Sequence, residues 1–309
     1  MARIAIVGCG AMGSVYAGLM ADAGHEVFGV TLWADHAQAM ERHGLRVEGA
    51  SGDRIARVHG RVSTDGIGVC DLVIIATKAF DVQSAAQASL PLLGPETPVQ
   101  TIQNGLGSAD LVAPIVGADR LVVGVVGGFG ASLRAPGHAH HNGMEMIRFL
   151  AYAGLPRKRL EASARIWEQS GFKVLLFEDI TRMIWEKLIM NVTFSGTSCL
   201  TGMTIGEVMA EPNAWRVARG CAEEAVAVAG ALGIKLDVGD PIQHIRALGG
   251  KIPNARPSML LDHLARQRSE IDFINGSIPR LGAQAGLATP VNQTVVALVK
   301  ARETGFGPG

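Results

Sequence analysis

With 309 residues the chain exceeds what one hydrophobic core usually supports, so two domains are expected. Hydrophobic residues at 48% against charged ones at 18% leave disorder only to a glycine-rich tail over 305–309. Acidic and basic residues balance at 28 each with no long run of one sign, which excludes the basic surface field that nucleic-acid binding needs.

Residues 3–7 form a short β-branched run closed by Gly8, the pattern of a buried parallel strand. A helix over 12–23, stopped by Gly24, and a strand over 25–32 complete a βαβ unit. Further strands are expected at 72–76, 99–102 and 121–126. Over 127–149 glycines, histidines and alternating residues suggest antiparallel ribbon, and 173–177 reads as the last strand of this half. From about 179 the texture changes to helical periodicity, at 181–194, 214–232, 259–273 and 291–301. The expected architecture is α/β, an N-terminal Rossmann-type doubly wound domain over 1–178 followed by an all-helical C-terminal domain over 179–309. The Ala-rich stretch 214–232 carries Arg216, Arg219, Glu223 and Glu224, so it is expected to be a helix in water rather than in a membrane. The scattered cysteines Cys9, Cys70, Cys199 and Cys221 contain no CxxC pair and read as reduced thiols. With no signal peptide evident, a cytoplasmic location is expected.

Gly8-Cys9-Gly10-Ala11-Met12-Gly13 is a GxGxxG lying between a strand and a helix. In that setting the first glycine permits a tight turn, and the second lets the backbone approach a pyrophosphate. The third lets helix and strand pack closely, while the helix N-terminus offers amides to the phosphates. A dinucleotide, NAD or NADP, is therefore the expected cofactor. The second strand runs out at Thr31-Leu32-Trp33 with Asp35 beyond it and no Arg or Lys before Arg42, which leans toward the ribose hydroxyls of NAD. Asp35 is placed equally well to be the N-cap of a helix starting at His36.

Three further clusters carry chemistry. Thr77-Lys78-Ala79-Phe80 and Gln103-Asn104-Gly105-Leu106-Gly107 each follow a strand, where ligands gather in doubly wound sheets. The third is Trp185-Glu186-Lys187-Leu188 with Asn191, joined by Ser258 and by the run from Ser269-Glu270 to Asn275-Gly276. Lys187 and Asn191 are four apart, which puts a cation and an amide on one helix face about 6 Å apart along the axis. An ammonium held at an oxygen turning negative stabilises the transition state of hydride addition. In order and separation, the opening GCGAMG, the TKA turn, the NGLG turn, the WEKLxxN helix and the EIDFING segment resemble the ketopantoate reductase family across nearly the whole chain.

The resemblance implies reduction of a 2-oxo acid, ketopantoate, to D-pantoate with NADPH on the route to pantothenate. It matches Lys187 to the general acid, Glu270 to a carboxylate that orients substrate or lysine, and Asn191 and Ser258 to substrate-binding positions. Lys78 and Asn104 match residues near the nicotinamide and its ribose. The ordinary readings stay open: Lys78 as a sheet-edge charge, Ser258 as the cap of the helix after Pro257, and Glu270 as the helical ion-pair partner of Arg266. Two departures from the family pattern stand out. Leu32 occupies the place of its basic residue, and Ser195 replaces the second asparagine, eight residues after the lysine, at the substrate-binding face. A shortened polar contact there redirects specificity, so an NAD-dependent dehydrogenase for another small hydroxy or oxo acid is the alternative, with a redox sensor without turnover behind it. His138, His140 and His141 lack metal-ligand spacing, and no metal is expected. The expected partners are the small acid and a second copy of the chain, with neither nucleic acid nor membrane.

Overall fold

A computed structural model describes residues 1–128, 130–143 and 146–306; the last three residues of the expected glycine-rich tail lie outside it. The chain divides into two compact units, one of residues 1–103 and 108–179, the other of residues 104–107 and 180–309.

The first unit opens with β1 (Arg3–Val7), α1 (Ala11–Asp22), β2 (Glu26–Val30), α2 (Ala34–His43), β3 (Leu45–Gly49), β4 (Arg54–Ala56), β5 (His59–Arg61) and β6 (Leu72–Ile75). It continues with α3 (Val82–Ser89), β7 (Val99–Thr101), α4 (Ser108–Val116), β8 (Leu121–Val126), β9 (Gly130–Ala135), β10 (His138–Gly143), β11 (Met146–Ala151), α5 (Arg157–Gln169) and β12 (Lys173–Leu176). The main sheet has the order β12-β11-β8-β7-β6-β1-β2-β5, parallel except where β11 runs against β8. The strands are apolar on both sides because both faces are covered. Ile4 and Ile6 of β1 join Tyr16 and Met20 of α1 and Trp167 of α5, while Ala5 and Val7 face Val82 and Ala86 of α3 and Val112 of α4.

The ribbon expected over 127–149 is divided. β11 joins the main sheet, whereas β9 and β10 form a second sheet of order β4-β3-β10-β9 in which β10 runs parallel to β3. This sheet lays Leu45, Val47 and Ala139 over α1. Gly18 of α1 makes the fit possible, since a Cβ there would lie 2.4 Å from Val47 Cγ2.

The second unit is helical throughout its described elements: α6 (Thr181–Thr201), α7 (Ile205–Ala210), α8 (Pro212–Ala231), α9 (Pro241–Lys251), α10 (Ser258–Leu264), α11 (Ser277–Gln284) and α12 (Pro290–Glu303). α6 is its axis, burying Leu188, Val192, Phe194 and Cys199 among Ala218, Cys221 and Ala225 of α8 and Val295 and Val299 of α12. Local signals set the ends: Gly202, at φ 77°, stops α6, Thr204 and Glu207 form a capping box on α7, and Asp240 caps α9.

The helix expected over 259–273 is two structures. α10 ends at Leu264, Arg266 takes φ 55°, and residues 265–276 are turns and irregular chain. A continuous helix would have carried Arg266, Gln267 and Arg268 around the buried stripe; all three are exposed instead. Among the described residues no helix is long and apolar enough to cross a membrane.

Candidate active site

In the main sheet the chain leaves β1 in one direction to β2 and later returns on its other side to β6. Such a reversal opens a crevice beyond the carboxyl ends of the strands. The two loops beside it are Gly8–Gly13 and the turn at Thr77, and they touch: a Cβ on Gly8, whose φ is +95°, would fall 2.4 Å from Thr77 N. Gln103 Nε2 donates to the carbonyls of Ile75 at 2.7 Å and Thr77 at 3.2 Å, so the turn after β7 holds the turn after β6.

The glycine loop passes a test for a dinucleotide. A Cβ on Gly13 would sit 2.6 Å from Gly8 O, so helix and strand are in close contact there, whereas a Cβ on Gly10 would meet nothing within 4 Å. The backbone is thus open at the second glycine, next to the first amides of α1, which have no intrahelical acceptor. Ala11 and Met12 begin that helix and are half-buried. Cys9 contributes backbone alone: its side chain is fully buried beside Ser14 and Met40, and burial pushes the thiol up to about 12. Lys78 is half-buried at the head of a short 3-10 turn over 79–81. Asp35 is exposed in the first turn of α2 and does not cap it, because the N-cap is Trp33 and no side chain caps that end.

In the helical unit α6 carries Lys187, Asn191 and Ser195. Each step of four residues advances about 40° around the axis, so Ser195 lies about 80° from Lys187. The burial follows this drift. Lys187 and Asn191 are half-buried, and Ser195 is 3% exposed. Residues 104–107 belong to this same unit: Leu106 N donates to Phe273 O at 3.0 Å, and a Cβ on Gly105 (φ +83°) would strike that carbonyl oxygen at 2.2 Å. That seating brings Asn104 Oδ1 to 3.0 Å from the Lys187 ammonium. An amide oxygen accepting from an ammonium fixes the lysine's direction without neutralising its charge.

Glu270 is 4% exposed at the head of the turn that ends in Asn275 and Gly276, and its carbonyl accepts from Phe273 N and Ile274 N. The helical pairing with Arg266 lapses with the helix; Arg266 instead bonds Gly305 O and lies over the Phe306 ring. Ser258 is the exposed first residue of α10 and makes no capping bond, so that reading lapses too.

Two networks that sequence reasoning missed hold this unit together. The fully buried Asn275 donates to Val192 O at 2.9 Å and Asn292 Oδ1 at 3.0 Å, tying the Glu270 turn to α6 and α12. Glu303 Oε1 accepts from Ser269 N at 2.8 Å and Ser269 Oγ at 2.6 Å and lies 3.1 Å from His263 Nε2. It thereby pins the residue before Glu270 to the end of α10. Asn275-Gly276 entered only as part of the EIDFING segment, with no bracing role read for it; nothing local marked Glu303. Among the described residues no cluster of His, Cys, Asp and Glu could hold a metal ion.

The family described as ketopantoate reductase PanE/ApbA matches residues 4–154, and its C-terminal counterpart matches residues 179–303. A PanE/ApbA family ketopantoate reductase from Ralstonia eutropha superimposes with a TM-score of 0.89 at 32% identity, with 98% of each chain covered. The 2-dehydropantoate 2-reductase of Archaeoglobus fulgidus is 28% identical over 98% of this chain and 99% of its own. A D-mandelate dehydrogenase, solved with NADH and anilino(oxo)acetate, has a TM-score of 0.88 at 27% identity, covering 98% of this chain and 99% of that one. With a Rossmann-type sheet bearing the glycine loop, a helical unit bearing Lys187, and family matches spanning both, the chain belongs to the ketopantoate reductase family.

Proposed function

We propose that this protein reduces the 2-oxo group of ketopantoate to the hydroxyl of D-pantoate with NADPH or NADH, acting as a cytoplasmic homodimer. The observation that carries the reading is the Lys187 ammonium held 3.0 Å from Asn104 Oδ1. Bound at the glycine loop, the reduced nicotinamide supplies the hydride. When the carbonyl carbon accepts it, the former π pair stays on oxygen, and Lys187 gives that oxygen a proton, to be restored from solvent. Asn104 keeps the ammonium aimed. Glu270 orients Lys187 or accepts a substrate hydroxyl, and Asn191, Ser195 and Ser258 bind the acid. Gly8, Cys9, Gly10, Ala11, Met12 and Gly13 hold the pyrophosphate through backbone, with Lys78 and Asp35 as further cofactor contacts.

A second reading, a reductase of a different 2-oxo acid, is favoured by Ser195. A buried serine at this position presents a shorter polar group than asparagine. A panel of 2-oxo acids including ketopantoate and phenylglyoxylate, each assayed with NADH and NADPH, tests both readings. Ketopantoate as the best substrate supports the first, and a clear preference for another acid replaces it with the second. Lys187→Ala should lower kcat about 10²–10⁴-fold. Full turnover in that variant would refute the assignment of the acid.

A further inference from the structure

We propose that the turn at residues 31–35 selects NAD(H) over NADP(H), against the habit of the family. The inference rests on the reading of the glycine loop as a dinucleotide site. In a doubly wound sheet the residues just past the second strand meet the adenosine ribose, where a cation serves a 2′-phosphate and hydroxyl-binding groups serve NAD. Here β2 ends at Val30, and Leu32 beyond it is 96% exposed, an apolar side chain with no packing duty. Trp33 follows, partly exposed and stacked on His36 with ring centroids 5.5 Å apart and planes at 15°.

That stack is anchored. His36 is fully buried, and its Nδ1 accepts from Gly137 N at 2.9 Å, so Nε2 carries the proton and donates to Ser14 Oγ at 3.0 Å. Ser14 lies in α1, one residue beyond the glycine loop. The indole is thus a fixed apolar platform referenced to the loop that would hold the pyrophosphate.

The charges around the turn do not favour a dianion at the ribose: an anion lies close by, and the neighbouring cations are engaged or distant. Asp35 sets a carboxylate in the first turn of α2, offsetting the helix end that would otherwise attract phosphate. The nearest cation in the sheet is Arg61, paired with Val30 across β2 and β5. Its guanidinium is turned away, bonded to Glu41 Oε2 at 2.7 Å and 6.0 Å from the centre of the Phe28 ring. Arg42 and His43 sit in the last turn of α2, at the opposite end of that helix. Lys78 follows β6, two strands away in the sheet order, or about 10 Å at ordinary strand spacing.

The test is direct binding to the intact protein. Calorimetric titration with NADH and NADPH, and with 5′-AMP and 2′,5′-ADP as probes of the adenosine half alone, reads the 2′-phosphate without turnover. NADH is expected to bind at least tenfold more tightly than NADPH, and 5′-AMP more tightly than 2′,5′-ADP. Leu32→Arg should move the NADPH-to-NADH ratio of Kd at least tenfold toward NADPH. Equal or tighter binding of NADPH by the unmodified protein would overturn the proposal and leave the dinucleotide reading intact. Failure of both dinucleotides to bind would sink that reading and the proposal with it.

Discussion

Replacing Asn104 by alanine removes the amide oxygen that accepts from Lys187 at 3.0 Å and touches little else of the loop's support. The loop is seated through backbone, by Leu106 N on Phe273 O and by the close approach of Gly105, so its path should survive. A hydrogen bond to a charged group contributes about 1.5–3 kcal/mol. If that energy holds the ammonium where the developing alkoxide forms, its loss should lower kcat/KM by roughly 10- to 150-fold, at about 1.4 kcal/mol per tenfold. Lys187 makes other interactions, which places the expected value in the lower part of that range. Because the role proposed for the bond is to orient a proton donor rather than to bind substrate uniformly, kcat should fall along with kcat/KM. Steady-state kinetics and a thermal melt suffice, and Tm should drop by no more than about 10 °C, the scale of a 3 kcal/mol change. In a Lys187→Ala background the Asn104 change should do almost nothing more, since the two act as one unit. An unchanged kcat in the single variant, or a full additive loss in the double, would refute the orienting role.

The second and third glycines of the glycine loop should separate folding from binding. Gly10→Ala puts its Cβ in open space and should leave Tm near normal while weakening NADH binding at least tenfold in a titration; Gly13→Ala drives its Cβ to 2.6 Å from a backbone oxygen and should lower both. Acid should destabilise the first unit. Burial lowers the pKa of His36, His25 and His141 below 6.5, so the folded chain protonates these rings at a lower pH than the unfolded chain does. Above about pH 6.5 folded and unfolded chains are both neutral at these sites and their contribution is complete. As pH falls below 6.5 the unfolded chain takes up protons that the folded one does not, and stability drops by up to about 1.4 kcal/mol per pH unit for each histidine. Urea midpoints between pH 8 and 5 should show this, with a shallower decline in His36→Asn; an identical slope would remove His36 from the account. Asn275→Ala strands the buried Asn292 Oδ1 and removes the second bond to Val192 O, and should cost about 1–3 kcal/mol in chemical denaturation. A loss under about 1 kcal/mol would mean the network is not a brace.

How much of this was legible in the sequence follows the range of each interaction. The glycine loop, β1, β6 and β8 could be read because a strand buried on both faces writes a continuous apolar run and a phosphate loop writes its own spacing. The second sheet could not be read, since it depends on β3 pairing in parallel with β10 about ninety residues later, and neither strand is apolar enough to declare itself. The helical pattern of α6 is legible over 181–194; Gly196 lies beyond it, and glycine weakens a helix by roughly 1 kcal/mol. The helix continues to Thr201, and the tertiary reason is specific: a Cβ at Gly196 would lie 2.4 Å from Val295 Cγ1 and 3.1 Å from Asn275 Oδ1. That contact, invisible to periodicity, is what keeps Ser195 helical and buried.

The same distinction explains the site. Lys187 and Asn191 share a helix, so their proximity is a matter of local geometry, while Asn104 reaches Lys187 from 83 residues away because its loop is bound to the Phe273 carbonyl. Glu270 depends on longer threads still. The residue before it is bonded to Glu303 on the last helix, and its turn is bonded through Asn275 to α6 and α12. Lys187, the proposed acid, thus sits on α6, the axis of the unit, while Glu270 sits on a turn tied by hydrogen bonds to the C-terminal helix. Substitutions along α12 that never touch substrate, Glu303 first among them, should therefore disturb Glu270 before they disturb Lys187.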